Sequence, residues 1–190
     1  MKVTFTRTAE RRYRVSVEGP GVVSSFMEPA PGYNARLPHD MAHFVVENEL
    51  GITGGVFGQL AAGGDARTFH PLDEEKRRKV ARRGKRMATA NRDDAALSEK
   101  LVYIAWQTWN NDSTQSRDKS NGQAEENGKG QAGQKTPTRK QACPLVADVT
   151  VDDIKRVCSE FDAVSAVWSK LSIGESMTLV WRGNGRSPRR

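Results

Sequence analysis

The sequence predicts an α+β fold, in which a small antiparallel sheet packs with about four helices. The sheet is predicted from strand patterns near the two ends of the sequence. Residues 3–5 and 13–17 alternate apolar and polar side chains with the period of two that is typical of strands, and residues 177–181 return to a short strand pattern. Between these ends, four stretches carry apolar residues at helical spacing. Because the strands are not interleaved with the helices, we expect an N-terminal hairpin and a C-terminal strand to share one sheet.

The hairpin comes first in the chain. In residues 3–5 and 13–17 every second side chain is apolar, which puts these side chains on one face of each strand. Residues 8–11 supply a turn, and the Gly-Pro-Gly of residues 19–21 ends the hairpin. A short further strand is predicted through residues 22–23.

The first helix is predicted from Pro38 to Gly51. Proline suits a first helical position because its missing N–H has no partner there, and Asp40 places a carboxylate in the first turn, where the helix dipole favours it. The glycine-rich segment 51–64 surrounds an apolar piece, residues 56–62, which is predicted as a buried turn or a brief helix. This segment lacks the spacing and context of a phosphate-binding loop.

Two further helices precede a polar segment. The first of them is predicted from Asp73, an N-cap residue, to Asn91, and the second from Asp94 to Trp109 with a broad apolar stripe. Residues 110–141 contain no apolar side chain larger than alanine. They bury too little surface to offset their ordering entropy, so this segment is predicted to be a disordered linker.

The C-terminal part is predicted to complete the same domain. Thr150 and Asp153 resemble a capping box, the residues after them have helical apolar spacing, and Gly174 is predicted to end this helix before the last strand. The predicted organisation is an N-terminal part of one α+β domain, a disordered linker, a C-terminal part of that domain and a basic tail. Their bounds are 1–109, 110–141, 142–182 and 183–190.

Composition limits the class of protein. The chain of 190 residues is 36% hydrophobic and 28% charged, which is a globular balance. No apolar run approaches the roughly 18 residues that a bilayer crossing needs, so no membrane partner is expected. Residues 1–7 lack the continuous apolar stretch of a secretory signal, and we expect a cytoplasmic protein. Cys143 and Cys158 lack C-x-x-C spacing and are predicted to be free thiols.

The densest group of side chains that can bind a metal or transfer a proton lies in the first predicted helix. His39, Asp40, His43 and Glu47 fall within about 100° of one another around the helix axis, with apolar residues opposite. Two histidines at i and i+4 can bind one Zn²⁺. The motif His39-Asp40-x-x-His43 resembles the H-E-x-x-H helix of zinc peptidases, in which the acidic residue is the general base. It departs from that motif because Asp40 is one methylene shorter than Glu.

Glu47 is harder to place. The helix rises about 12 Å from His39 to Glu47, so one metal cannot easily take both together with His43. Either His43 and Glu47 share a metal, or His39 and His43 do with an outside ligand, or Glu47 orients His43 without binding the metal. His70 is the remaining histidine. An ordinary salt bridge between His43 and Glu47 is the alternative without a metal.

From these residues we predict a zinc site that supports metal-assisted hydrolysis of a small-molecule or peptide substrate. The predicted metal ligands are His39, His43 and His70, and the predicted catalytic residues are Asp40 and Glu47.

The same helix carries a resemblance. The string L-P-H-D-x-x-H-x-x-V-E from Leu37 to Glu47, followed by Glu49-Leu50-Gly51 and then by Gly-Val-Phe-Gly at residues 55–58, looks like a set of small bacterial proteins of unassigned function. The likeness covers about a third of the chain. It favours this helix as the functional element and implies no substrate.

A basic helix offers an alternative function. The formal net charge is +7, and the segment 76–86 places a row of cations on one helix face. Such a face can neutralise phosphates, which indicates a nucleic-acid-binding or protein-interaction accessory. The segment has no helix-turn-helix signature and no interleaved aromatic residues, and many charged faces are only solvated. The predicted nucleic-acid-binding residues are Arg78, Lys79, Arg82, Arg83 and Arg86.

Overall fold

The computed structural model describes residues 1–120 and 149–183. It contains a five-stranded antiparallel sheet with the strand order β4-β3-β2-β1-β5. The predicted α+β class is confirmed, because an N-terminal hairpin and a C-terminal strand share this sheet. The strands are β1 (Lys2–Ala9), β2 (Arg12–Glu18), β3 (Ser25–Met27), β4 (His70–Pro71) and β5 (Ser176–Val180).

The centre of the sheet follows the predicted alternation. Val3 pairs with Val17 and Phe5 pairs with Val15, and all four side chains are buried on one face. On its other side, β1 pairs with β5, where Phe5 lies opposite Met177. A period of two with one buried face fixes this register, because a slip by one residue would expose every apolar side chain.

Two loop predictions are corrected. The hairpin turn spans residues 10–11 rather than 8–11, because the strand continues to Ala9. The backbone N–H of Val22 donates to the Gly19 carbonyl at 3.2 Å, so residues 19–22 form a turn. The strand predicted at residues 22–23 therefore begins later, as β3.

Five α-helices lie within the described residues, where about four were predicted. The additional one is the short helix, which the sequence left open as a helix or a turn. None of the described helices combines the length and the apolar character that crossing a membrane requires. They are α1 (His39–Leu50), α2 (Val56–Ala61), α3 (Arg77–Ala90), α4 (Arg92–Ser120) and α5 (Val151–Trp168).

Several helix ends carry the predicted signals, and others differ from the prediction. α1 follows Pro38 and ends at Gly51, whose φ of 70° is left-handed. The Asp73 side chain accepts from the Glu75 N–H and caps a 3-10 turn (Glu74–Lys76), so α3 begins at Arg77, later than the predicted start at Asp73. Thr150 forms a capping box with its third helical residue. α5 ends at Trp168, earlier than the predicted end at Gly174.

α4 extends further than predicted. It was expected to end at Trp109 and instead continues to Ser120, so residues 110–120 of the predicted linker are helical. Residues 121–141 of that linker lie outside the described residues, as do Cys143 and the basic tail from residue 184. Cys158 is buried in α5, where its thiol donates to the Ala105 carbonyl oxygen at 3.5 Å.

α1 is the central helix of the domain. It contacts α2, α4 and α5, and eight of its residues are buried. Phe44 packs edge-on against Phe5 of the sheet at 6.3 Å and against Phe57 of α2 at 5.2 Å. Because the apolar face of α1 is fixed on the sheet in this way, its histidine face is turned toward α4.

Candidate metal centre

Three side chains from two helices form a group that could hold a metal ion. His39 and His43 of α1 and Glu99 of α4 each offer a ligand atom, and these atoms all lie within 4.8 Å of one another. The two imidazole rings are 4.5 Å apart between centroids, as expected one helical turn apart. His43 Nε2 lies 3.4 Å from Glu99 Oε2. Of the arrangements predicted from the sequence, this is the histidine pair with an outside ligand.

The orientation of His43 is set by a buried hydrogen-bond network. Its Nδ1 lies 3.0 Å from Ser98 Oγ, and that hydroxyl donates to Glu47 Oε1 at 2.9 Å. Since the Ser98 proton is directed at Glu47, the serine oxygen accepts from His43, and Nδ1 carries the hydrogen. Nε2 therefore presents its lone pair to Glu99, and it is buried without a hydrogen-bond partner among the described residues. A histidine held in this tautomer is ready to bind a metal.

The same surroundings favour the protonated imidazole when no metal is bound. Burial lowers the pKa of His43, but the neighbouring Glu47 and the charge of Glu99 outweigh burial, so the pKa is raised. The added proton would occupy Nε2, the atom that a metal would use. Metal and proton therefore compete for one nitrogen.

Glu47 has a structural task that the sequence did not reveal. Its side chain is fully buried, and its two carboxylate oxygens accept the backbone N–H groups of Val56 at 2.9 Å and Phe57 at 2.8 Å. These are the first two residues of α2, where free N–H groups favour a negative charge. A Cβ on Gly55 would lie 2.2 Å from this carboxylate, so only glycine fits beside it.

Both carboxylate oxygens of Glu47 thus accept hydrogen bonds from α2, outside the group formed by His39, His43 and Glu99. The carboxylate contacts His43 through Ser98, and its direct approach to His43 Nδ1 is 3.8 Å. The arrangement in which His43 and Glu47 share a metal is not found. Glu47 reaches His43 through Ser98, and a role in orienting His43 toward a metal stays a prediction.

Asp40 faces the sheet rather than the metal group. The Tyr13 hydroxyl lies within hydrogen-bonding distance of both Asp40 Oδ2 and the Pro31 carbonyl oxygen. The single phenol proton is therefore shared between the Asp40 carboxylate and the Pro31 carbonyl oxygen. Burial raises the pKa of Asp40 above its ordinary value, and the hydrogen bond from Tyr13 opposes this shift.

His70 is not brought to the site. It lies exposed in β4, at the edge of the sheet, where its ring contacts Phe26 at 6.2 Å between centroids. The predicted set of three histidines is therefore not assembled, and Glu99 takes the third position.

A cavity of about 400 Å³ lies beside the metal group, and His39 and Glu99 belong to its wall. Neither Asp40 nor Glu47 contributes to the lining. The wall comes from α1, α4 and the loop before α1, and it is mainly aromatic and apolar. The other lining residues are Gly32, Tyr33, Asn34, Leu37, Ala42, Val102, Tyr103 and Trp106.

Sequence reasoning missed Ser98 and Glu99. They are one serine and one acidic residue in a long polar-faced helix, more than fifty positions from the histidines, and nothing in their spacing marks them. Only the packing of α1 against α4 brings them to the site. An alignment showing that they vary together with the histidines is the signal that would have found them.

The basic residues of α3 form a separate surface. Arg78, Lys79, Arg82, Arg83 and Arg86 are all exposed, while Val80 and Gly84 face the core. The ion pairs nearby are those of Lys76 with Asp73 at 2.7 Å and of Arg77 with Glu74 at 3.3 Å.

The chain matches no protein-family model, no curated protein and no solved structure. The resemblance of residues 37–58 to small bacterial proteins therefore stays a prediction.

Proposed function

We propose that the protein is a zinc-dependent, hydrolase-like enzyme whose metal is held by His39, His43 and Glu99. The observation that supports the proposal is the convergence of these donors within 4.8 Å, with His39 and Glu99 in the wall of a cavity. Imidazole and carboxylate are donors that Zn²⁺ takes, and catalytic zinc sites use three protein ligands and keep one position open. A Zn²⁺ ion held there would supply Lewis-acid activation of water and of a carbonyl group near neutral pH.

The chain's own residues have distinct tasks in this proposal. His43 gives its Nε2 lone pair because Ser98 and Glu47 keep the proton on Nδ1. Glu99 of α4 supplies the third metal ligand. Its side chain is 67% exposed and can therefore move to coordinate an ion. Glu47 is then a positioning residue, and Asp40 a buried acid bound to Tyr13, rather than the general base that the peptidase motif suggests.

Elemental analysis tests this proposal directly. After incubation with zinc and gel filtration, we expect about one zinc ion per chain in the wild type and none in a His39→Ala, His43→Ala double variant. Glu99→Gln should bind zinc weakly, and His70→Ala should bind it as the wild type does. Equal and negligible zinc in the wild type and the double variant would contradict the proposal. If the wild type retains another metal instead of zinc, the proposed identity of the metal is wrong and the proposed binding site still stands.

A second candidate function is the binding of nucleic acid by the basic face of α3. From Arg78 to Arg86 the helix rises about 12 Å, and six exposed cations, including Lys85, follow this length without an ion-pair partner in the part of the chain that the structure describes. Unpaired cations release counterions from phosphates and give affinity with little sequence preference. This observation favours a surface for a phosphate backbone.

Binding of DNA at low salt tests the second candidate. Replacing Arg82, Arg83 and Arg86 with Gln should abolish retention. A matched control removes the same charge elsewhere, at the exposed Arg11, Lys100 and Lys170. If the control loses retention equally, net charge rather than α3 is responsible, and no retention by the wild type at low salt excludes this function.

A further inference from the structure

The cavity beside the candidate metal centre has one aromatic end and one polar end. Glu99, Val102, Tyr103 and Trp106 of α4 all line it. Their spacing of three, four and seven residues places them on a single helix face. The polar residues His39 and Glu99 stand at one end of this face, and Trp106 stands about 10 Å further along the helix axis.

The opposite wall is held firmly. Gly32 has a φ of 68°, and a Cβ there would lie 2.6 Å from the Cβ of His39, so the loop closes tightly on the first histidine. The next residue, Tyr33, is fixed from behind by Arg7, whose guanidinium donates to the Tyr33 hydroxyl at 3.0 Å. On the α4 side of the cavity, Trp106 packs edge-on against Trp109 at 5.5 Å. Tyr33 and Trp106 are thus both held by neighbouring side chains, which lowers the entropy cost of ordering them around a ligand.

Tyr103 differs from these two rings because its side chain is exposed. It is 65% exposed although it lines the cavity. A flat group bound in the cavity would stack on this ring and cover part of it.

We infer that the site takes a small acyl compound in which a planar aromatic group is attached to the carbonyl, such as an aromatic amide or ester. The inference rests on the proposed zinc function. The ring lies among Tyr33, Tyr103 and Trp106, and the acyl group extends toward the end formed by His39 and Glu99. About 10 Å accommodates one ring and one acyl unit. In hydrolysis the acyl carbon takes the OH of water, the bond to nitrogen or oxygen breaks, and the leaving atom takes the proton.

Two probes that differ only in the ring test this inference: benzohydroxamate and acetohydroxamate. Their binding to the zinc-loaded protein is measured by calorimetry, and a change in the visible spectrum of cobalt-loaded protein shows whether a probe reaches the metal. We expect benzohydroxamate to bind about tenfold or more tightly than acetohydroxamate, since ring contacts of this kind give about 1.4 kcal/mol.

Variants of Tyr103 keep the test independent of folding, because this side chain is exposed. Tyr103→Ala should weaken benzohydroxamate several-fold and leave acetohydroxamate unchanged, and Tyr103→Phe should restore the difference. Equal affinity of the two probes in the wild type overturns the inference while the zinc site stands. Tighter binding of benzyltrimethylammonium than of benzohydroxamate also overturns it, because the rings and Glu99 would then hold a cation. Failure to bind zinc or cobalt removes the proposed function and this inference together.

Discussion

Ser98 decides how His43 is presented. Its hydroxyl joins His43 Nδ1 to the buried carboxylate of Glu47, so that the free nitrogen faces Glu99. Groups that orient a metal-binding histidine typically change metal affinity by about 10–100-fold when they are removed. We expect Ser98→Ala to weaken zinc binding by that factor in competition with a chelator. Unchanged zinc affinity in a folded variant would show that the network does not serve the metal.

Asp40 gives a prediction on pH. Burial raises its pKa above the ordinary 3.8, although the hydrogen bond from Tyr13 and the charge of His39 lower it. Between the ordinary and the raised value the folded chain therefore binds more protons than the unfolded chain. The free energy of unfolding falls as pH rises through this window.

Asp40→Asn tests this prediction because asparagine cannot ionise and keeps an oxygen that can accept the hydrogen bond from Tyr13. In urea unfolding at a series of pH values, we expect the fall in stability across the window to be smaller in the variant than in the wild type. Parallel curves for the two proteins would contradict the raised pKa.

Site residues could be predicted from the sequence only where their spacing along one helix shows that their side chains lie close together. The pair His39 and His43 was found because one helical turn separates them. Glu99 was not found, because it reaches the pair through the packing of α4 on α1. The general-base role predicted for Asp40 rested on the peptidase motif, which could not show that Tyr13 of the hairpin would face this carboxylate.

At the scale of elements, Glu47 connects α1, α2 and α4. Glu47→Ala leaves the N–H groups of Val56 and Phe57 and the Ser98 hydroxyl without their acceptor. A buried polar group without a partner costs about 1–3 kcal/mol, so we expect a loss of roughly 3–5 kcal/mol in the free energy of unfolding. Glu49→Ala on the same helix is the control and should cost less than about 0.5 kcal/mol. Similar losses for both variants would refute the role of Glu47.

Helix ends were predictable wherever a cap stands at the boundary. Pro38, Gly51 and Thr150 mark ends because each satisfies or spares backbone groups that the helix leaves free. The end of α4 was misjudged because a polar composition was read as a helix stop. No glycine or proline interrupts residues 110–120, so the backbone has no local reason to leave the helix.

For the whole molecule, a metal held by α1 and α4 would link two distant parts of the chain. A ligand that binds only the folded state adds about 2.7 kcal/mol at a concentration a hundred times its Kd. For a domain of this size we expect zinc to raise Tm by about 5–10 °C and a chelator to reverse the rise. His39→Ala should show no such rise. A rise of equal size in that variant would place the zinc elsewhere.

The architecture as a whole was the most predictable level. The period of two near the N-terminus and the short strand pattern after Gly174 were sufficient to predict one shared sheet. Burial of one face leaves few ways to pair these strands. The position of the two-residue β4 beside β3 was not predictable, since two residues carry no periodicity. The site could not be predicted either, because it depends on how α1 and α4 pack against each other.

The buried Glu47 carboxylate also has a consequence for the opening motions of the folded chain. The amide hydrogens of Val56 and Phe57 can exchange with solvent only after leaving this carboxylate, and separating α2 from α1 strands an unsolvated anion. A partial opening of that kind is costly, so these two amides should exchange as slowly as global unfolding allows. Two positions in a six-residue helix thereby become reporters of the cooperativity of the entire domain.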